Sequence, residues 1–136
     1  MSDTANKPRP QFRNIHVTDL MKYRLPMAGK VSILHRVSGA LLFLCLPFLI
    51  ALFAMSFVSQ SGFNALALVI GHPIVKLILL VLIWGYLHHF CAGIRYLILD
   101  LHIGLDKESA AKSASLVMGV SLALTLVFGL KLFGVW

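Results

Sequence analysis

The order of polar and apolar positions divides this chain into a polar head and three long apolar runs. No charged residue occurs between Arg36 and Lys76, although "SQSGFN" (Ser59 to Asn64) interrupts the apolar pattern. This predicts a first helix over about 29–57, followed by a short polar turn. A second helix is predicted over about 73–99, opened by Pro73, whose fixed φ suits a first helical turn. Within it, 18 uncharged residues separate Lys76 from Arg95. A polar loop holding Asp100, His102, Asp106, Lys107 and Glu108 follows. A third helix is predicted over about 109–133, with another 18 uncharged residues between Lys112 and Lys131. At about 1.5 Å per residue, each core with its ends spans the roughly 30 Å of membrane hydrocarbon. The expected architecture is all-α: a basic segment over 1–28, then an integral membrane domain of three transmembrane helices over 29–136.

Composition supports lipid as the solvent. Of 136 residues, 59% are hydrophobic and 12% charged, and a soluble domain of this size could not hide so much apolar surface. The net charge of +7 raises nucleic acid as a partner, but its distribution argues against that: seven of the twelve Lys and Arg precede residue 37. Together, the amino-terminal segment and the second loop with its helix ends carry ten of the twelve, against Lys76 and Lys131 on the opposite side. The excess of positive charge places the amino terminus and the second loop in the cytoplasm, with the carboxyl terminus outside. A signal peptide is a poor reading of the first apolar run, because roughly thirty polar residues precede it and two spans follow. Cys45 and Cys91 lie in apolar runs without CxxC spacing and read as small packing residues.

Candidate chemistry centres on His89. Gly85, His89 and Gly93 are four residues apart, so on a helix they share a face. The imidazole would project between two positions without side chains, a flat slot suited to a porphyrin. A histidine at membrane depth is a functional candidate, and haem ligation is the specific form it takes here. Two alternatives stand beside it: close helix packing through the glycines, with His89 hydrogen-bonded across the interface, and a proton relay. His88 competes for the ligand role but points about 100° away, partly blocked by the Trp84 indole. A lone histidine cannot fill both axial positions. His16, His35, His72 and His102 are expected at or beyond span ends, poorly placed in depth, so the second ligand points to a partner chain.

The second constellation is "SILHRVSG", Ser32 to Gly39. Ser32 and Arg36 share a face at the start of the first span, and Gly39 opens space beside Arg36. A hydroxyl and a guanidinium together suit a quinone head group carrying negative charge, or a haem propionate. The plainer reading makes Arg36 a snorkelling boundary charge with Ser32 bonded to its own helix. Arg95, about 9 Å along the axis from His89, could reach a propionate or serve as an anchor. Asp100 reads as a solvated helix-end acid, while Ser113, Ser121 and Thr125 read as interhelical contacts. No acid–base pair, nucleophile or phosphate loop is evident, so the chain is not expected to be an enzyme alone.

"SILHRVSG" followed by "HxxxGIR" (His89 to Arg95) in the second of three spans resembles the cytochrome b subunit of succinate dehydrogenase. That is the larger membrane anchor of bacterial succinate–quinone oxidoreductase, respiratory complex II. The resemblance covers nearly the whole chain, including the basic tail and Arg9–Pro10. It implies one haem b with His89 as an axial ligand, His35 and Arg36 near its propionates, and a quinone contacted by Ser32 and Arg36. It also implies a smaller anchor subunit supplying the second axial histidine, an iron–sulfur subunit, a flavoprotein subunit and residence in the bacterial inner membrane. His88 departs from the family pattern. The rival readings are a haem-free anchor of the fumarate reductase type and a small structural or assembly membrane protein.

Overall fold

The computed structural model of the chain describes residues 16–135, which form five helices and, among the described residues, no strand. They are α1 (Val17–Lys22), α2 (Met27–Val58), α3 (Gln60–Gly71), α4 (Pro73–Asp100) and α5 (Lys107–Leu132). Three of them, α2, α4 and α5, are long and apolar enough to cross a membrane. Their bounds compare with about 29–57, 73–99 and 109–133 from the sequence. The segment over 1–15 lies outside the described residues.

Local chemistry explains the boundaries. Pro26, at φ −64° and ψ 158°, precedes α2 and directs the chain into it. Pro47 lies inside α2 without ending it, as membrane helices tolerate when neighbouring groups satisfy the freed carbonyl. The predicted polar turn after the first span is instead a single extended residue, Ser59, followed by α3. Ser59 Oγ accepts the Gly62 N–H at 3.0 Å, so the polar cluster caps a new helix where a turn was expected. Phe63, Leu66, Ala67 and Ile70 recur at helical spacing and line a cavity with Lys76 and Leu132 from the longer helices. That one-sided apolar stripe makes the segment a helix.

His72 then serves both neighbours. It ends α3, and its Nδ1 accepts the Ile74 N–H at 3.3 Å, ahead of Pro73. At the opposite end of the bundle, His102 (φ 62°) and Gly104 (φ 72°) turn the chain through the left-handed region. Asp106 caps α5 by accepting the Ser109 N–H at 2.9 Å. The Ser109 backbone and hydroxyl donors hold the Asp106 carboxyl below its ordinary range.

Helix α4 packs against both α2 and α5, which also meet each other. The buried core is small: Val31, Ala92, Ala114 and Val117, flanked by partly buried Met27, Ala28, Cys91, Tyr96 and Met118. It gathers where α2 and α5 begin and α4 ends. Large side chains elsewhere face outward, Phe43 and Phe48 among them, as expected where lipid or another chain covers the helices. The bundle is held by small residues and interhelical hydrogen bonds, the usual means of association in lipid.

Candidate functional site

The α2–α4 interface assembles His35, Ser38 and Gly39 against Gly85, His89 and Gly93. His89 Nδ1 lies 3.0 Å from the His35 carbonyl oxygen, to which its N–H donates. Ser38 Oγ donates to the same carbonyl at 3.0 Å and lies 3.4 Å from Nδ1. The His35 ring stacks on His89 at 4.2 Å with an interplanar angle of 8°, and Tyr96 flanks His35 at 5.1 Å. With Nδ1 occupied, the Nε2 lone pair of His89 is left without a hydrogen-bond partner among the described residues. A backbone carbonyl on one ring nitrogen is the arrangement that orients a ligating histidine through the other.

The glycines act differently from the sequence expectation. A Cβ on Gly39 would stand 2.7 Å from His89 Cε1, so the imidazole lies against bare backbone of α2. A Cβ on Gly85 would meet Ser38 at 4.0 Å, and one on Gly93 would meet the His35 Nε2 at 3.8 Å. The expected slot between Gly85 and Gly93 is therefore occupied by α2 side chains, because positions without Cβ let the helices approach closely. Gly39, expected to open space beside Arg36, makes room for His89 instead.

His35 is also placed differently. The sequence put it too near a span end to match His89 in depth, yet the two rings touch. The reason is antiparallel register: His35 is eight residues into α2, and His89 is eleven residues from the end of α4. Face-to-face stacking sets the two imidazoles side by side, so His35 does not oppose Nε2 as a second ligand.

His88 is fully buried. Trp84 lies against it with ring centroids 5.4 Å apart, as the sequence spacing anticipated. Neither His88 nitrogen has a hydrogen bond of good geometry, although the Val31 backbone faces the ring. Ser32 is half-buried and Arg36 exposed on the flank of α2 beside His35. Arg36 forms no ion pair among the described residues.

Arg95 does not extend toward His89. Its Nε donates to Ser113 Oγ at 3.0 Å and its Nη2 to the Ala110 carbonyl at 3.2 Å, both on α5. Residues 92 and 95 lie on the flank of α4 that faces α5, which turns the guanidinium away from any propionate near His89. Ser113 is thus an interhelical contact as expected, whereas Ser121 and Thr125 bond back to carbonyls of their own helix. Asp100 is exposed at the end of α4. The described residues contain no cluster of three or more His, Cys, Asp or Glu able to hold a metal ion. A single imidazole nitrogen suits a metal whose remaining positions are filled by other molecules.

Sequence reasoning missed Ser38 and gave Gly39 a different neighbour, although both lie against His89. Their signal was present, since both belong to "SILHRVSG", but only the interhelical register reveals that they face His89.

Comparison with known proteins identifies the family. Residues 6–128 match the family described as succinate dehydrogenase/fumarate reductase transmembrane subunit. A succinate dehydrogenase cytochrome b556 subunit from Coxiella burnetii is 34% identical, covering 87% of this chain and 91% of that protein. A cytochrome b556 subunit from Paracoccus denitrificans is 28% identical over 93% of this chain and 94% of its own length. A cytochrome b560 subunit from Reclinomonas americana is 27% identical over 77% of this chain and 76% of its own. With three helices long enough to span a membrane and a family match across most of its length, this chain belongs to the succinate dehydrogenase/fumarate reductase transmembrane subunit family.

Proposed function

We propose that this chain is the haem b-carrying larger anchor of a succinate–quinone oxidoreductase, with His89 Nε2 as one axial ligand. The carrying observation is the His89 Nδ1–H bond to the His35 carbonyl at 3.0 Å. It fixes one tautomer, orients the ring and leaves Nε2 as the acceptor nitrogen. The imidazole thus fits a haem, whose porphyrin supplies four equatorial nitrogens, and the relatives named cytochrome b support that choice. When bound, haem b supplies a one-electron store whose potential depends on axial ligands and surrounding hydrogen bonds.

The chain's own residues do the rest by binding and orienting. The His35 carbonyl and Ser38 hold the His89 ring. Gly39 gives it space. A smaller anchor subunit would supply the other histidine that holds the haem. Arg36, exposed beside His35, offers a guanidinium to propionate oxygens or to a quinone oxygen gaining negative charge. Ser32, four residues earlier on the same flank, donates a hydrogen bond to a quinone carbonyl. Electrons reach that site from a flavoprotein that oxidises succinate, through an iron–sulfur subunit docked where α2 begins and α4 ends. Positive charge concentrated at that end supports a cytoplasmic side for it and for the amino terminus in a bacterial membrane.

The test is a reduced-minus-oxidised visible spectrum of the purified complex containing this chain. A b-type band, together with co-purifying flavoprotein and iron–sulfur subunits, is expected. A complex active with quinone but lacking that band would overturn the haem assignment and leave the haem-free fumarate reductase-type anchor.

A further inference from the structure

Arg95 is a guanidinium that is only 6% exposed inside a membrane-spanning segment. A buried charge is costly in such surroundings unless it is paired. Its two hydrogen bonds go to the Ser113 hydroxyl and the Ala110 carbonyl, and its guanidinium lies 5.4 Å from the Tyr96 ring centre, so its neighbours are neutral groups and none is a carboxylate. Arginine carries five N–H donors in a planar fork, so three remain.

The chain's neighbouring acids are committed elsewhere. Asp106 accepts from Ser109. Glu108 pairs with Lys112 at 2.7 Å, both exposed and the sole ion pair among the described residues. Asp100, five residues beyond Arg95, is turned about 140° from it around α4 and faces outward. Among the described residues no carboxylate pairs with Arg95.

The place for a counter-anion is open. Arg95 and Ser113 line the middle of a cavity of about 370 Å³ that runs between α4 and α5 from the loop at Gly104 to Val120. Ile94 and Ile98 of α4 and Leu116 and Val120 of α5 supply its apolar walls. A volume of this size falls in the range of small-molecule sites, roughly 300–1,000 Å³. Ile94 and Ile98 lie five and nine residues from His89, which turns them about 140° and 180° from it around the helix. The cavity therefore opens on the far side of α4 from His89, away from the site proposed for haem and quinone. An occupant there needs an anionic head at the end of a span and an apolar tail running along it.

We propose that the α4–α5 groove holds one anionic phospholipid, its phosphate on the Arg95 guanidinium and an acyl chain between Ile94 and Val120. Planar guanidinium donors match phosphate oxygens in a bidentate manner, and basic pockets between transmembrane helices suit such head groups. The proposal rests on the membrane-spanning helices and not on haem binding.

The test uses the intact complex carrying this chain, with native mass spectrometry after detergent purification. Phosphatidylglycerol is then titrated into the delipidated complex. Wild type is expected to retain one anionic phospholipid per copy of this chain. Arg95→Gln should weaken rebinding about ten- to hundredfold, the value of a charge-assisted hydrogen bond. Val120→Trp fills the tail end of the groove while leaving Arg95 and Ser113 in place. It should abolish retention even if Arg95→Gln fails to assemble. Inorganic phosphate at the same concentration should not compete.

Several results would overturn the proposal: wild type without bound anionic lipid, equal retention in Val120→Trp, or displacement by phosphate alone. A quinone as the retained molecule would do so too, as would loss of the partner subunits, rather than of lipid, in Arg95→Gln. Haem content, read from the same preparations, should be unchanged in Val120→Trp, which separates failure here from failure of the haem assignment.

Discussion

Gly39→Ala introduces one methyl group at the tightest point of the α2–α4 contact. Its Cβ would stand 2.7 Å from His89 Cε1 and 3.2 Å from Nδ1. Carbon atoms prefer about 3.5–4.0 Å, so the ring must retreat by about 1 Å or the helices must part. Neither movement is free. The ring is stacked on His35 at 4.2 Å and tied to the His35 carbonyl at 3.0 Å. Overpacking of this kind costs about 1–3 kcal/mol, and losing the Nδ1 hydrogen bond adds about 1 kcal/mol. The sum, about 2–4 kcal/mol, weakens haem ligation by roughly thirty- to a thousandfold. The assay is haem content per complex with the midpoint potential of whatever haem remains. Gly119→Ala is the control, because its Cβ meets nothing within 4 Å. It should leave haem unchanged and, as alanine in a helix interior, cost nothing in stability. Full haem content with an unshifted spectrum in Gly39→Ala would refute the claim that this contact positions the ligand.

Three further outcomes are expected. Ser32→Ala and Arg36→Leu should slow quinone reduction while sparing succinate oxidation by an artificial acceptor. The losses are about 1 kcal/mol and about 1.5–3 kcal/mol, larger where a charge is removed, and unchanged quinone turnover in both would remove the site. A reporter active only outside the cytoplasm should work after Trp136 and be silent at Asp106, and the reverse pattern would invert the topology. Asp106 has its carboxyl held low by Ser109, so its contribution to stability is complete above the ordinary carboxylate pKa. That contribution is lost as pH falls through the lower folded value. The stability difference between wild type and Asp106→Asn, whose amide cap does not titrate, should therefore change below about pH 4, and a constant difference would contradict the cap's ionic character.

The spans were legible because eighteen-residue uncharged runs bounded by Lys76, Arg95, Lys112 and Lys131 admit few other readings in lipid. Helix α3 was less so: "SQSGFN" is turn-like in composition, and only the stripe after it shows that Ser59 begins a helix. The histidine pair was half legible. Spacing separated His89 from His88 and found the Trp84 contact. It could not say that α2 would cover Gly85 and Gly93, since a bare helix face suits a cofactor and a neighbouring helix equally well. The opposed register of α2 and α4 brings His35 and Gly39 to His89, and periodicity within one segment carries no information on register between two. Arg95 illustrates the same limit. Its boundary position was readable, its commitment to α5 was not.

The most direct measurement of the central claim is imidazole rescue of His89→Gly in the assembled complex. The b-type band should be lost or strongly reduced in the variant and return when imidazole is added, because the free base restores the missing nitrogen without the chain. The same substitution at His88 should leave the band in place. A band that persists in His89→Gly, or one that disappears only in His88→Gly and is rescued there, would contradict His89 Nε2 as the ligand.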